Sequence, residues 1–251
     1  MASTLHPGSS APQAALIDLD GTLVNTLGDF CEALQRMLRD LPEPYARYIV
    51  TAQSVEPLVG KGSENLIKNV LELVDRAEAA TKSIADHPIA SKPGTSSAPH
   101  ASYALAFARY QHHYQTINGQ FAEVYDGVLD GLAGLRALGW LLACVTNKPT
   151  AFAQDLLRTK GLDVFFEFTL GGDALARKKP DPLPLLVACQ RLGVEPARTV
   201  MIGDSSNDAQ AARAAGCPVW LMTYGYNHGQ PIRAVDADGF ADNLSALPWL
   251  R

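Results

Sequence analysis

Two aspartates, Asp18 and Asp20, close the apolar run "AALIDLD", and a Gly-Thr pair follows at once. Carboxylates this close repel each other and resist leaving water unless something positive sits between them. Further polar groups stand at the ends of other apolar runs. They are Thr146-Asn147-Lys148 after "WLLACV", Lys178-Lys179-Pro180 beyond Gly171-Gly172, and Asp204 after "TVMIG". Brought together, they would supply carboxylates, lysines, a hydroxyl and glycine-rich backbone. Phosphoryl transfer needs such a set: a nucleophile, a cation over the phosphate oxygens, donors for the equatorial oxygens and a proton for the leaving alcohol. Carboxylate oxygens are hard ligands and suit Mg2+, which takes one or two carboxylates plus substrate phosphate. Two residues apart on a strand, Asp18 and Asp20 share a face. One can attack phosphorus and the other can protonate the leaving oxygen. Taken singly, each fragment reads as a turn or a helix start. Their joint occurrence, each at a strand tip, is what points to chemistry.

The elements that would position these groups are legible as alternating patterns. Runs at 14–20, 140–147, 165–172, 199–204 and 218–224 are nearly continuous in apolar character, which favours parallel strands covered on both faces. Helical patterns lie between them. Leu129, Leu132, Leu135 and Leu138 recur every three residues before Gly139, and Phe152, Leu156 and Leu157 share a face before Gly161. Asp181 and Pro182 can open a helix that Gly193 ends, and an alanine-rich helix is closed by Gly216. The fold class is α/β: a doubly wound, mainly parallel, Rossmann-like sheet, in which ligands bind beyond the carboxyl ends of the strands.

Residues 26–125 read differently, with helical periodicity and no clear strand. Phe30, Leu34, Met37 and Leu38 fall near one face; Leu66, Ile67, Val70, Leu71 and Val74 follow a cap at Ser63; "ASYALAFARYQHHYQTI" is a third helix. This region reads as an inserted all-helical cap domain, with residues 1–25 and 126–251 forming the catalytic core. Inside it, 78–101 is rich in Ser, Ala and Pro and reads as a mobile excursion. The adjacent His112 and His113 diverge around a helix and make no metal clamp.

Bulk properties narrow the function classes. The chain has 251 residues, 47% hydrophobic and 19% charged, with a net charge of −5. This balance is globular, and no basic stripe suggests a nucleic-acid partner. A small anionic substrate remains compatible, because a local pocket can be positive on an acidic protein. The four cysteines, Cys31, Cys144, Cys189 and Cys217, show no CxxC spacing and fit a reduced, cytoplasmic setting. No run approaches the ~20 apolar residues of a membrane span. The start, "MASTLHPGSSAPQ", reads as a loose tail without the features of a signal peptide. No motif specifies an oligomeric state.

Four segments in order, "DLDGT" (18–22), "VTN" (145–147), the lysine of "KKPDP" (178–182) and "GDSSND" (203–208), resemble the motifs of the haloacid dehalogenase superfamily of aspartate-nucleophile phosphatases. The helical insert resembles the cap of one branch of that family. The resemblance implies that Asp18 is the nucleophile and forms an aspartyl-phosphate, and that Asp20 is the general acid and then the base for water. Thr146 and Asn147 would hold a phosphoryl oxygen. Lys179, with Lys178 as the neighbouring candidate, would pair with phosphate and Asp18. Mg2+ would be bound by Asp18, Asp204 and the main-chain carbonyl of Asp20, with Asp208 supporting the metal shell. Relatives that cleave carbon–halogen bonds lack an aspartate at the position of Asp20, so a phosphate ester or a phosphoryl transfer is indicated.

Substrate choice should lie in the cap. In "LVGKGSENL" (58–66), Gly60 and Gly62 flank Lys61 and a helix begins, which makes an anion site of Lys61 or its neighbouring amides. This stretch, with "VTNKPTAFAQDLL", "KKPDPLPLL" and "GDSSNDAQAARAAGCP", resembles phosphoglycolate phosphatases. The resemblance implies Mg2+-dependent hydrolysis of 2-phosphoglycolate to glycolate and phosphate. A phosphosugar mutase, a broad-range small-molecule phosphatase and a binding protein on an inactive scaffold remain the alternatives.

Overall fold

Residues Ala14–Ile17 are apolar and fully buried, and they form β1, an inner strand of a six-stranded sheet. A computed structural model describes residues 12–85 and 101–250. After β1 come β2 (Val24–Asn25), α1 (Leu27–Arg39), α2 (Ala52–Val55), α3 (Ser63–Ala85), α4 (Tyr103–Ile117) and β3 (Glu123–Val124). The remainder alternates: α5 (Val128–Ala137), β4 (Leu141–Val145), α6 (Thr150–Thr159), β5 (Phe168–Leu170), α7 (Leu183–Leu192), β6 (Thr199–Gly203), α8 (Ser206–Ala215), β7 (Val219–Met222) and β8 (Gly239–Ala241). The sheet order is β5-β4-β1-β6-β7-β8, with every pairing parallel. The chain leaves β1 toward β4 on one side and returns to β6 on the other, so the crevice between β1 and β6 is the topological switch point.

Alternation along the strands builds two apolar layers. Ala15 and Ile17 of β1 join Leu142 and Cys144 of β4 on the face covered by α5 and α6, through Leu132, Leu135, Leu156 and Leu157. Leu16, Ala143 and Met201 face the other way, against Leu185, Ala188 and the alanines of α8. Glycines at 193 and 216, with φ of +67° and +79°, end α7 and α8 in the left-handed conformation. Ile17 pairs with both Cys144 and Ile202, which brings the carboxyl ends of β1, β4 and β6 level.

Helices α1, α3 and α4 enclose a separate apolar cluster that includes Phe30, Leu34, Met37, Ile67, Leu71 and Tyr114. The buried Asp29, in the first turn of α1, accepts hydrogen bonds from the amides of Gly119 (2.6 Å) and Phe121 (2.8 Å). It thereby ties the start of the helical region to its exit.

Several expectations are corrected. Leu129 and Leu138 are each 51% exposed, because a three-residue spacing drifts off one face of a 3.6-residue helix. The helical region ends in a strand: β3 pairs antiparallel with β2, Val124 opposite Val24. Residues 78–85 of the expected excursion continue α3, while 86–100 lie outside the described residues, as does most of the N-terminal tail. The cap of α3 falls one residue earlier than Ser63, where the Gly62 carbonyl accepts from Leu66. Strand β8 was not expected; it is three residues long and begins with glycine. Among the described residues no helix is long and apolar enough to cross a membrane.

Candidate active site

Strand β1 stops at Ile17, one residue before Asp18. The next residues wind into a tight turn in which the Leu19 carbonyl accepts from Leu23 (3.0 Å) and Val24 (3.1 Å). Leu19 is fully buried in the apolar layer, so Asp18 and Asp20 on either side of it line one cavity. The two aspartates therefore do face the same way, although a turn rather than a strand makes them do so. Gly21 has φ +84°, and a Cβ there would lie 2.3 Å from Asp204 Oδ2. Only glycine lets this turn approach the tip of β6.

The other expected residues arrive from three strand tips. Lys179 Nζ lies 3.0 Å from Asp18 Oδ1, and it donates to Asp208 Oδ1 and to the Val145 carbonyl, each at 2.7 Å. Lys178 instead pairs with Glu64 at 3.1 Å, so geometry separates the two adjacent lysines. Asp204 accepts from the Thr22 hydroxyl at 2.8 Å and from the Tyr226 amide at 2.5 Å. Asp208, in the first turn of α8, accepts on Oδ2 from the amides of Asp204 and Ser205 and from the Ser205 hydroxyl. Thr146 Oγ1 accepts from the Lys148 amide at 3.2 Å. Asn147 Nδ2 donates to the carbonyls of Gly60 (3.0 Å) and Lys179 (2.8 Å), so this side chain binds the helical region and the lysine loop together.

Charge in the site is unbalanced. Asp18, Asp204 and Asp208 offer oxygens within 4.8 Å of one another. Burial pushes the Asp18 carboxyl up to about 6, opposed by Lys179 and reinforced by Asp208. Burial, with Asp208 and Asp18 beside it, holds Asp204 well above the usual carboxylate range. Burial alone would lower the Lys179 ammonium, but Asp18 and Asp208 outweigh it and hold it above the ordinary lysine value. Three carboxylates facing one ammonium make a place for a further cation.

The helical region closes over this floor. The cavity between them has a volume of about 40 Å3. It is lined by the two aspartates, Thr146, Asn147 and Lys148, together with apolar groups such as Phe30, Val59 and Phe152. Gly60, Gly62 and Ser63 reach it, whereas Lys61 is exposed and is not among the lining residues. His113 pairs with Asp40 at 2.7 Å on the helical surface, away from the cavity.

Four residues carry more of the site than their sequence context announced. Thr22, inside the first motif, holds Asp204. Tyr226, in the loop after β7, also receives the amides of Thr26 and Leu27 on its hydroxyl. Lys148 stands next to Asn147 at a strand tip and bonds Asp20 at 3.0 Å. Tyr114, which meets Lys148, had no signal beyond being a tyrosine on an apolar helix face.

Comparison with known proteins fits this geometry. The family model for haloacid dehalogenase-like hydrolases matches residues 12–216. A phosphoglycolate phosphatase of Thiobacillus denitrificans is 40% identical over 233 residues, covering 93% of this chain and 92% of that protein. A plasmid-borne phosphoglycolate phosphatase of Cupriavidus necator is 42% identical over 94% of this chain and 92% of its own length. A crystal structure described as a predicted phosphoglycolate phosphatase from Haemophilus somnus superposes with a TM-score of 0.80 at 29% identity, covering 95% of this chain and 97% of that one. The chain belongs to the haloacid dehalogenase-like hydrolase family.

Proposed function

We propose that the protein hydrolyses 2-phosphoglycolate to glycolate and phosphate, with Asp18 as nucleophile. The observation that carries the reading is the placement of Asp18 within 3.0 Å of a buried lysine, beside a carboxylate cluster and Asp20, at the mouth of a small cavity. An Asp18 oxygen attacks phosphorus, the bond from phosphorus to the bridging oxygen breaks, and that oxygen takes a proton from Asp20. Asp20 then takes a proton from water as the water attacks the aspartyl-phosphate, releasing phosphate and Asp18. Lys179 balances Asp18 and the incoming phosphate, and the Thr146 hydroxyl with the amides of its loop meets the phosphoryl oxygens.

Asp18, Asp204 and the Asp20 carbonyl would hold Mg2+, and Asp208, whose oxygens are already occupied, would brace them. When bound, the ion draws charge from the phosphoryl oxygens and lets Asp18 approach them. The four free cysteines fit a reducing, cytoplasmic setting.

The test is phosphate release from 2-phosphoglycolate, glycerol phosphates, sugar phosphates and nucleotides, with Mg2+ and with a chelator. 2-Phosphoglycolate is expected to lead in kcat/KM, the chelator to stop turnover, and Asp18→Asn to abolish it while leaving the fold intact. Substantial turnover by Asp18→Asn would remove the aspartyl-phosphate, and a flat substrate profile would remove the glycolate assignment.

A further inference from the structure

Among the described residues lining the cavity, Lys148 is the one cation. Its side chain is only 3% exposed. Nζ donates to Asp20 Oδ1 at 3.0 Å and to the hydroxyl of Tyr114, itself buried in α4. It also lies over the rings of Phe30 and Tyr114, 4.9 and 4.7 Å from their centroids. An ammonium has three donors, and two are engaged here. An ion held under aromatic rings in a poorly solvated cavity is a stronger partner for an anion than a surface lysine, which salt and water screen.

We infer that Lys148 is the specificity-determining residue for the substrate's tail, receiving the carboxylate that lies beyond the bridging oxygen. This rests on the proposed reaction. With phosphorus at Asp18, the bridging oxygen must come within reach of Asp20 to be protonated. Whatever is attached to that oxygen then lies beside Asp20, and so beside the ammonium bonded to it. In 2-phosphoglycolate the carboxylate carbon stands two bonds past the bridging oxygen, a reach that matches the neighbouring position of Lys148. The apolar side chains of Phe30, Leu66 and Phe152 in the cavity wall offer a carboxylate no competing donor, and the Tyr110 hydroxyl that also lines it is a neutral one. Tyr114 comes from the helical region and Lys148 from the strand tip, so the anion site is complete only when the two meet. Lys61, on the exposed side of the loop, is displaced from this role.

The experiment compares 2-phosphoglycolate with ethyl phosphate, a substrate of similar length whose tail is uncharged, in the wild-type protein, Lys148→Met and Lys148→Arg. The ratio of the two kcat/KM values is expected to fall by about 30-fold in Lys148→Met, mainly through KM for 2-phosphoglycolate, and to be largely restored in Lys148→Arg. Lys148→Gln, which keeps a polar end, replaces the methionine variant if that one does not fold. If both substrates instead lose kcat equally and the ratio stands, Lys148 serves Asp20 alone and the inference is overturned. A wild-type protein that strongly favours 2-phosphoglycolate, with an unchanged ratio in the variants, overturns the inference and leaves the proposed function standing. A wild-type protein with no such preference overturns both.

Discussion

Lys179 and Lys178 are neighbours in sequence with opposite environments, and the difference sets their energetic weight. Lys179 is 2% exposed at its side chain and sits between Asp18 and Asp208. Lys178 is 31% exposed and pairs with Glu64. Removing one partner from a buried ion pair costs about 3–5 kcal/mol, because the other charge is left without compensation. A surface pair contributes about 0–1 kcal/mol. Lys179→Met is therefore expected to lower the unfolding free energy of the metal-free protein by about 3–5 kcal/mol, measured by urea denaturation, and to abolish turnover. Lys178→Met should fall within about 1 kcal/mol of the parent. The reverse order would mean that Lys178, not Lys179, neutralises the aspartates. At this scale the sequence placed both lysines at a strand tip, but adjacency left their order open. Lys148 was equally visible as a strand-tip group, yet its partner Tyr114 lies 34 positions away, on a helix that reads simply as core.

The loop from Val59 to Gly62 joins the helical region to the strand tips through its backbone. The Gly60 carbonyl accepts from Asn147 and Asn207, at 3.0 and 3.1 Å. Gly60 has φ +107°, and a Cβ there would lie 2.9 Å from His228 Cε1. Gly60→Ala must strain the backbone and push against that ring, at about 1–2 kcal/mol for the left-handed conformation. The loop bears on the cavity and not on either sheet layer. The expected result is a fall of roughly tenfold in kcat/KM, with the melting temperature lowered by about 2–8 °C. An unchanged kcat/KM would show that the loop does not shape the catalytic state. The glycines and the helix start were legible here, because turn chemistry is local. The inward direction of the carbonyl, and the outward direction of Lys61, were not, because both depend on Asn147 and Asn207 from distant elements. Long periodic segments were the most legible of all. α1 buries the four residues its pattern predicts, and β1, β4, β6 and β7 fall inside continuous apolar runs. The short strands β2, β3 and β8 left no such pattern, since two or three residues make no period.

At the scale of the whole molecule, the two sheet layers and the helical cluster meet at one charged point. Folding must bury Asp18, Asp204 and Asp208 there, with Lys179 as the buried counter-ion. The free energy of that unbalanced cluster is spread over every element that approaches it: β1 through Asp18, β4 through Val145, β6 through Asp204, α8 through Asp208. A divalent cation that binds the native cluster and not the unfolded chain stabilises all of them together, by about 2.7 kcal/mol at a hundredfold excess over its dissociation constant. For a chain of this size each kcal/mol moves the midpoint by about 2–4 °C. Millimolar Mg2+ is therefore expected to raise the melting temperature by roughly 5–10 °C over the chelator-treated protein, in calorimetry at matched ionic strength, as a displacement of the main transition. Asp204→Asn removes one of the proposed ligands and should lose most of that displacement. It should also start from a higher metal-free midpoint, because a carboxylate held in this cluster against burial has been neutralised. A Mg2+ shift that survives in Asp204→Asn would place the ion elsewhere. A metal-free midpoint below the parent's would show that the hydrogen bonds from Thr22 and Tyr226 to the Asp204 carboxylate outweigh its repulsion by Asp18 and Asp208.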